Sequence, residues 1–301
     1  MRIFITGGTG AIGGHAVPAL VRAGHSVTGL ARSDTAADDL RRHGATPVDV
    51  SIFDRDRLTS AFAGHEAVIN LATALPPSRA AIRRSAWAPC ERLRSEGSAA
   101  VVDAALAAGV RHLLQESVVM IYADGADGWL DEDARVDRYP MALGNHAAEA
   151  SARRFAETGG TATILRFGLF YGPGSAQTEE ILAVARRHIG FMPGRPSAYL
   201  SSIHLADAAG AVLACLDAPG GVYNVVDDEP LTKAGYAKAC ADAVATRPWL
   251  RLPGTLGLLL GDRLTSLTRS LRVSNGRLRL VTEWRPRYPS AREGYLAMAG
   301  D

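Results

Sequence analysis

Apolar residues fall into short runs separated by stretches of helical spacing through the first two thirds of the chain. Arg2 to Thr6 is a run of strand length, followed by a glycine-rich turn. Ile12 to Ala23 has the spacing of a helix closed by Gly24, and Pro18 inside it predicts a local kink near Gly14. Ser26 to Ala31, Thr46 to Val50 and Ala67 to Ala72 read as the second, third and fourth strands. Asp54 starts a helix that runs to Phe62. A small-residue helix from Gly97 to Ala108 precedes a strand from His112 to Ile121. A helix from Ala142 to Glu157 then precedes a strand from Ala162 to Phe170. This alternation predicts an α/β chain with a doubly wound parallel sheet of Rossmann type, covered on both faces.

After Gly174 the alternation loosens, punctuated by Gly172-Pro173-Gly174 and Pro193-Gly194-Arg195-Pro196. Val222 to Val226 reads as a strand returning to the sheet. The expected division is a cofactor-binding Rossmann domain over 1–172, with 199–227 returning to it. A small C-terminal α/β substrate-capping region covers 173–301. The apolar stretch Leu256 to Leu260 is too short to span a bilayer and reads as core or lid packing.

Composition narrows the function classes. At 301 residues, 47% hydrophobic and 21% charged, the chain reads as a soluble globular protein. A net charge of +2 without a concentrated basic stripe excludes a nucleic-acid binder. Cys90, Cys215 and Cys240 are far apart, which argues against a disulfide framework or zinc knuckle and fits a reducing cytoplasm. No signal segment precedes the first strand. The expectation is a cytoplasmic protein acting on a small molecule, without membrane or nucleic-acid partners, as a monomer or homodimer. Its 33 basic residues are 31 arginines and only two lysines, Lys233 and Lys238. Most of that bias reads as coding preference, but it excludes a P-loop lysine or a Schiff base in the first 232 residues.

The segment Thr6-Gly7-Gly8-Thr9-Gly10-Ala11-Ile12-Gly13 carries the first candidate chemistry. Gly7 suits the tight turn, Gly10 lets the backbone approach a pyrophosphate, and Gly13 lets helix pack on strand. With Ala11 and Ile12 they present a helix N-terminus to that anion. At the end of the second strand Ala31 stands where an acid would meet a ribose 2′-hydroxyl, followed by Arg32 and Ser33. A guanidinium there matches a 2′-phosphate, so the expected cofactor is NADP(H).

These motifs resemble those of an extended or atypical short-chain dehydrogenase/reductase, in the NAD-dependent epimerase/dehydratase group. The resemblance covers essentially the whole chain, including Leu165-Arg166-Phe167 through Gly174, Ser202 to Asp207, and Trp284-Arg285-Pro286. It implies that Asp49 and Val50 meet the adenine, that Leu71, Ala72 and Thr73 lie beside the cofactor ribose, and that Phe167 lies near the nicotinamide. The group uses a tyrosine as proton donor, a lysine four residues later, and a serine or threonine on the preceding strand. Here the resemblance places Met141, Asn145 and Val118 at those positions, with Asn145 still counted toward the cofactor. Methionine has no acidic proton and an amide no positive charge. Ser117 lies next to the serine position and is the one weak catalytic candidate; Tyr139, Tyr122, His146 and His204 are further possible donors.

Other constellations fail. No serine has glycines at both −2 and +2, His65-Glu66 lacks a partner histidine, and Asp124, Asp127, Asp131 and Asp133 miss EF-hand spacing. No metal is expected, and Trp129 is expected near the substrate cleft. The function expected first is NADPH-dependent reduction of a small-molecule ketone, such as a hydroxylated aromatic polyketide or quinone, whose own hydroxyl replaces the missing acid. The alternatives are a non-catalytic NADP(H) sensor and a sugar-nucleotide epimerase or dehydratase.

Overall fold

A computed structural model describes residues 1–77, 80–190, 192–247, 250–251, 254–255, 261 and 264–300. The Leu256 to Leu260 run lies outside the described residues. Seven parallel strands form the central sheet: β1 (Arg2–Thr6), β2 (Ser26–Leu30), β3 (Thr46–Val48), β4 (Ala67–Asn70), β5 (His112–Val118), β6 (Thr161–Phe167) and β9 (Gly221–Val225). Their order is β9-β6-β5-β4-β1-β2-β3, which reverses direction beside β1 and β4 and places a crevice at their carboxyl ends. Between β6 and β9, the short strands β7 (Leu169–Tyr171) and β8 (Ser202–His204) pair with each other outside the main sheet. The run read as one strand to Phe170 breaks at Gly168, where a Cβ would lie 2.9 Å from the Ser201 carbonyl oxygen.

Strand periodicity sorts the core into two layers. Ile3, Ile5, Ile69, Leu114 and Leu165 face α1 (Gly13–Arg22), α2 (Asp34–Arg42) and α8 (Leu205–Ala214). Phe4, Val68, Leu113 and Ile164 face α3 (Arg55–Phe62), α5 (Ser98–Ala107) and α6 (Leu143–Glu157). Asp54 accepts from the Arg57 N–H at 3.1 Å and caps α3, and Gly24 closes α1 at φ +85°. α1 runs on through Pro18, which lies inside it. The hydrophobic pattern gave no sign of α2, which buries only Leu40; its signal lies in the Ser33 cap, whose Oγ accepts from the Ala36 N–H.

Helix α4 (Ala88–Arg92) passes through a π-helical turn, Leu93–Gly97, into α5. Helices α7 (Ala176–Arg186), α9 (Lys233–Ala243) and α11 (Ala291–Gly300) gather around Tyr171, Tyr236 and Tyr295 in a second core. Leu278, on α10 (Gly276–Val281), and Trp284 instead join the Rossmann core, although both lie in the segment expected to cap it. Among the described residues no helix is long and apolar enough to cross a membrane.

One polar network holds the carboxyl ends of three strands. Arg166, on β6, donates from Nε and Nη2 to both carboxylate oxygens of Glu149 on α6, each at 2.8 Å. Ser117 on β5 donates to the same carboxylate, and Arg153 adds a further bond. Arg166 Nη1 also reaches the Tyr122 hydroxyl, which in turn donates to Asn224 on β9. Side-chain exposure is 4% for Arg166 and 1% for Glu149, so removing one partner leaves an uncompensated buried charge. Glu149→Leu should therefore cost roughly 3–5 kcal/mol of stability in denaturant unfolding. A loss under about 1 kcal/mol would place this pair among ordinary surface bridges instead.

Candidate functional site

The turn after β1 is compressed to the point of excluding side chains. Gly7 has φ +70°, and a Cβ on it would lie 2.5 Å from the Leu71 carbonyl oxygen at the end of β4. A Cβ on Gly13 would lie 2.1 Å from the Gly7 carbonyl oxygen. Helix α1 begins without a side-chain cap and without an acid in its first turn. Its leading N–H groups, at Ala11, Ile12 and Gly13, take no backbone acceptor among the described residues. An uncapped helix N-terminus behind a glycine turn fits a phosphate group.

Around this turn the sequence-predicted residues take distinct places. Gly10 lies exposed, its N–H bonded back to the Gly7 carbonyl. Arg32 follows β2, exposed and without an ion-pair partner among the described residues. The Ser33 hydroxyl oxygen is engaged in capping α2. Asp49 is exposed just beyond β3, while Val50 is buried. Leu71 is buried and bonds through its N–H to the Thr6 carbonyl; Ala72 and Thr73 continue along the crevice. Thr6, Asn70, Ser98 and Gln115 link the ends of β1 and β4 to the start of α5 and the middle of β5 through a chain of buried hydrogen bonds. Phe167 is fully buried in the core, so its side chain supports the site from beneath. Asn145 is buried in the first turn of α6, and its Oδ1 has no hydrogen-bond partner. A buried acceptor left open at the position the resemblance assigns to the cofactor is the kind of atom a ribose hydroxyl satisfies.

The positions that the resemblance gives to the catalytic serine and tyrosine share one apolar cluster. Val118 and Met141 both pack against Ile121, Tyr139 and Ala142. Ser117 points the other way along the strand alternation, fully buried, with its proton given to Glu149 at 2.8 Å. Its hydroxyl proton is thus directed to α6 rather than to the Val118 and Met141 cluster. Tyr122 is likewise consumed by Asn224 and Arg166, and burial pushes its phenol up to about 12. Tyr139 donates to the Met120 carbonyl at 2.8 Å beneath the Arg269 guanidinium, and burial pushes it up to about 12 as well. His146 bonds through Nε2 to the Asp137 carbonyl. His204 caps α8 by accepting the Ala206 N–H at Nδ1.

The acidic loop is held by other partners. Asp124 accepts from the backbone of Ala126 and Ser270, Asp133 pairs with Arg277, and Asp137 pairs with Arg269. No group of three or more histidine, cysteine or acidic residues among the described residues is arranged to hold a metal. Trp129 is exposed and lies against Arg272.

A feature that the sequence reading missed is a second buried ion pair, Arg94 Nη2 to Glu116 Oε1 at 2.7 Å, beside the first turn of α6. Burial pushes the Glu116 carboxyl above its usual range, against the pull of Arg94. Its signal was available: Glu116 is a charge set inside the otherwise strand-like run from His112 to Val118.

The model of the NAD dependent epimerase/dehydratase family matches residues 3–225. A 3-diazoavenalumate denitrifying reductase from Streptomyces sp. is 33% identical, over 98% of this chain and 99% of its own length. A 4-hydroxy-2-methyl-3-oxo-4-farnesyl-3,4-dihydroquinoline-1-oxide ketoreductase from Stigmatella aurantiaca is 30% identical, over 77% of this chain and 70% of its own. Among solved structures, the human epimerase family protein SDR39U1 with NADPH superimposes with a TM-score of 0.83 at 22% identity, covering all of both chains. The Thermus thermophilus UDP-glucose 4-epimerase complex with NAD gives 0.81 at 21% identity, covering 100% of this chain and 98% of that one. At these identities the two structures share the fold.

The His204 environment carries a pH prediction. Burial lowers its imidazole from 6.5 to about 4. The unfolded chain therefore takes up this proton first, so the contribution is complete above pH 6.5 and shrinks as pH falls toward 4. His204→Asn keeps an oxygen to cap α8 and removes the titration. Its stability should fall less steeply than wild type across that window in denaturant titrations, and an unchanged slope would assign acid sensitivity to other groups.

Proposed function

This chain belongs to the NAD-dependent epimerase/dehydratase family, and we propose that it is an NADPH-dependent reductase of a small molecule whose acceptor group needs no proton from the protein. The observation that carries this reading is that Val118 and Met141 both pack on one apolar cluster, while the buried neutral amide of Asn145 stands at the lysine position. The glycine turn, the open start of α1 and Arg32 fit the phosphates of NADPH, and the open Asn145 Oδ1 fits a ribose hydroxyl. When bound, the dinucleotide supplies the hydride. The protein's part is to orient the acceptor and exclude water, with Val118 and Met141 contributing apolar side chains where the resemblance places the serine and tyrosine.

An aromatic diazonium group meets this condition most fully. Hydride adds at the ring carbon, the carbon–nitrogen bond breaks, and dinitrogen leaves, so no alkoxide forms and no proton is required. The full-length Streptomyces relative, named for a diazo substrate and a denitrifying reduction, supports this substrate class. A ketone beside a hydroxyl meets the condition differently, because the substrate's own proton stabilises the developing alkoxide. The name of the Stigmatella relative joins a 4-hydroxy to a 3-oxo group and supports this second reading.

Steady-state NADPH oxidation separates these readings from conventional ketone reduction. Turnover is expected on aryl diazonium acids and on ortho-hydroxylated aryl ketones, with the matching unhydroxylated ketones slower by roughly tenfold or more. Equal rates on both ketone series, with none on the diazonium compounds, would overturn the proposal. The cofactor assignment has its own test. Arg32→Ala should weaken NADPH binding by roughly ten- to hundredfold while leaving NADH binding nearly unchanged. Equal losses for both would remove Arg32 from the 2′-phosphate site.

A further inference from the structure

Two buried arginine–glutamate pairs meet β5 at neighbouring residues, and they are built to different standards. The Glu149–Arg166 pair, reached through Ser117, is bidentate, and both carboxylate oxygens have further donors. The Arg94–Glu116 pair makes a single contact at 2.7 Å. Arg94 Nε and Glu116 Oε2 are both buried without a partner, and the side chains are only 5% and 3% exposed. A half-satisfied buried pair costs desolvation that one hydrogen bond does not return. As a device for stability it is worse than an apolar pair of the same size, so something else should complete it.

The surroundings indicate what that is. Arg94 lies on the π-helical turn, an irregularity that recurs at functional sites. That turn packs directly on the start of α6: a Cβ on Gly144 would lie 3.2 Å from Arg94 Cβ and 3.2 Å from Glu91 Cα. The next residue is Asn145, whose buried Oδ1 is a third open atom. Two acceptors and one donor are thus left open where the π-turn, the end of β5 and the first turn of α6 meet. A vicinal diol, which donates and accepts at adjacent oxygens, has the matching chemistry.

We propose that Arg94, Glu116 and Asn145 form a clamp for the ribose on the nicotinamide side of the cofactor, its hydroxyls donating to Asn145 Oδ1 and Glu116 Oε2 and accepting from Arg94 Nε. The clamp rests on the reading of this chain as a nicotinamide-cofactor protein with Asn145 beside that cofactor.

The test compares NADPH with adenosine 2′,5′-bisphosphate, which lacks the nicotinamide half, by fluorescence titration of the full chain. Replacing both charges together, in Arg94→Met/Glu116→Leu, removes the pair without leaving a lone buried charge. This variant should melt within a few degrees of wild type. It should bind NADPH roughly ten- to hundredfold more weakly and the bisphosphate as before. Glu116→Gln, which keeps the shape, should show the same selectivity with a smaller loss, and decides the matter if the double variant does not fold. Unchanged NADPH affinity, or equal weakening of both ligands, would overturn the clamp. Failure of the wild-type protein to bind either ligand would instead overturn the cofactor reading beneath it.

Discussion

A buried carboxylate has to be paired, and in this fold that demand is met by the bidentate contact between Glu149 and Arg166. Burial alone would raise the Glu149 carboxyl, but Arg166 and Ser117 outweigh it and hold the group below its usual range. The contact fixes α6 against β6 and, through Ser117, against β5. Through Tyr122 and Asn224 it extends to β9, so four elements of the sheet's carboxyl edge share one network. Of these elements, β5 lies beside β4, at whose carboxyl end the crevice opens.

The same network accounts for the crevice's shortage of acids. Ser117 on β5 and Tyr122 just beyond it carry hydroxyl protons, and both are spent in holding the scaffold. Tyr139 spends its proton on a backbone carbonyl, and the two remaining candidate histidines hold backbone groups. The positions that the resemblance gives to the catalytic serine and tyrosine hold a valine and a methionine in contact with one cluster. An apolar surface of this kind suits hydride delivery to a group that accepts it without a proton, and it discourages water from competing.

Much of this architecture was legible in the sequence because periodicity reports burial. The alternation of Ile3, Phe4 and Ile5 between two helical layers is the reason the first strand could be placed to the residue. The glycines at 7 and 13 were legible because only glycine fits where a Cβ would meet backbone atoms at 2.5 Å and 2.1 Å. Helix α2 was not legible, since its one buried residue leaves no apolar face to read. The break at Gly168 was hidden inside a continuous apolar run, and it depends on the approach of Ser201 from a distant segment. The orientation of Ser117 followed from strand alternation, but its partner on α6 did not. The Arg94–Glu116 pair was illegible for the same reason: charge in a strand marks a buried ion, while its partner is set by tertiary packing around the π-turn.

The central claim is that hydride moves to the acceptor without a proton supplied by a protein group. Single-turnover reduction with 4-deuterated NADPH, followed across pH 6 to 9 in light and heavy water, tests this most directly. The account predicts deuterium on the product carbon, a primary isotope effect from the cofactor, and a rate that follows no ionisation of the protein. A rate governed by one protein ionisation in that range, together with a solvent isotope effect on the same step, would contradict it.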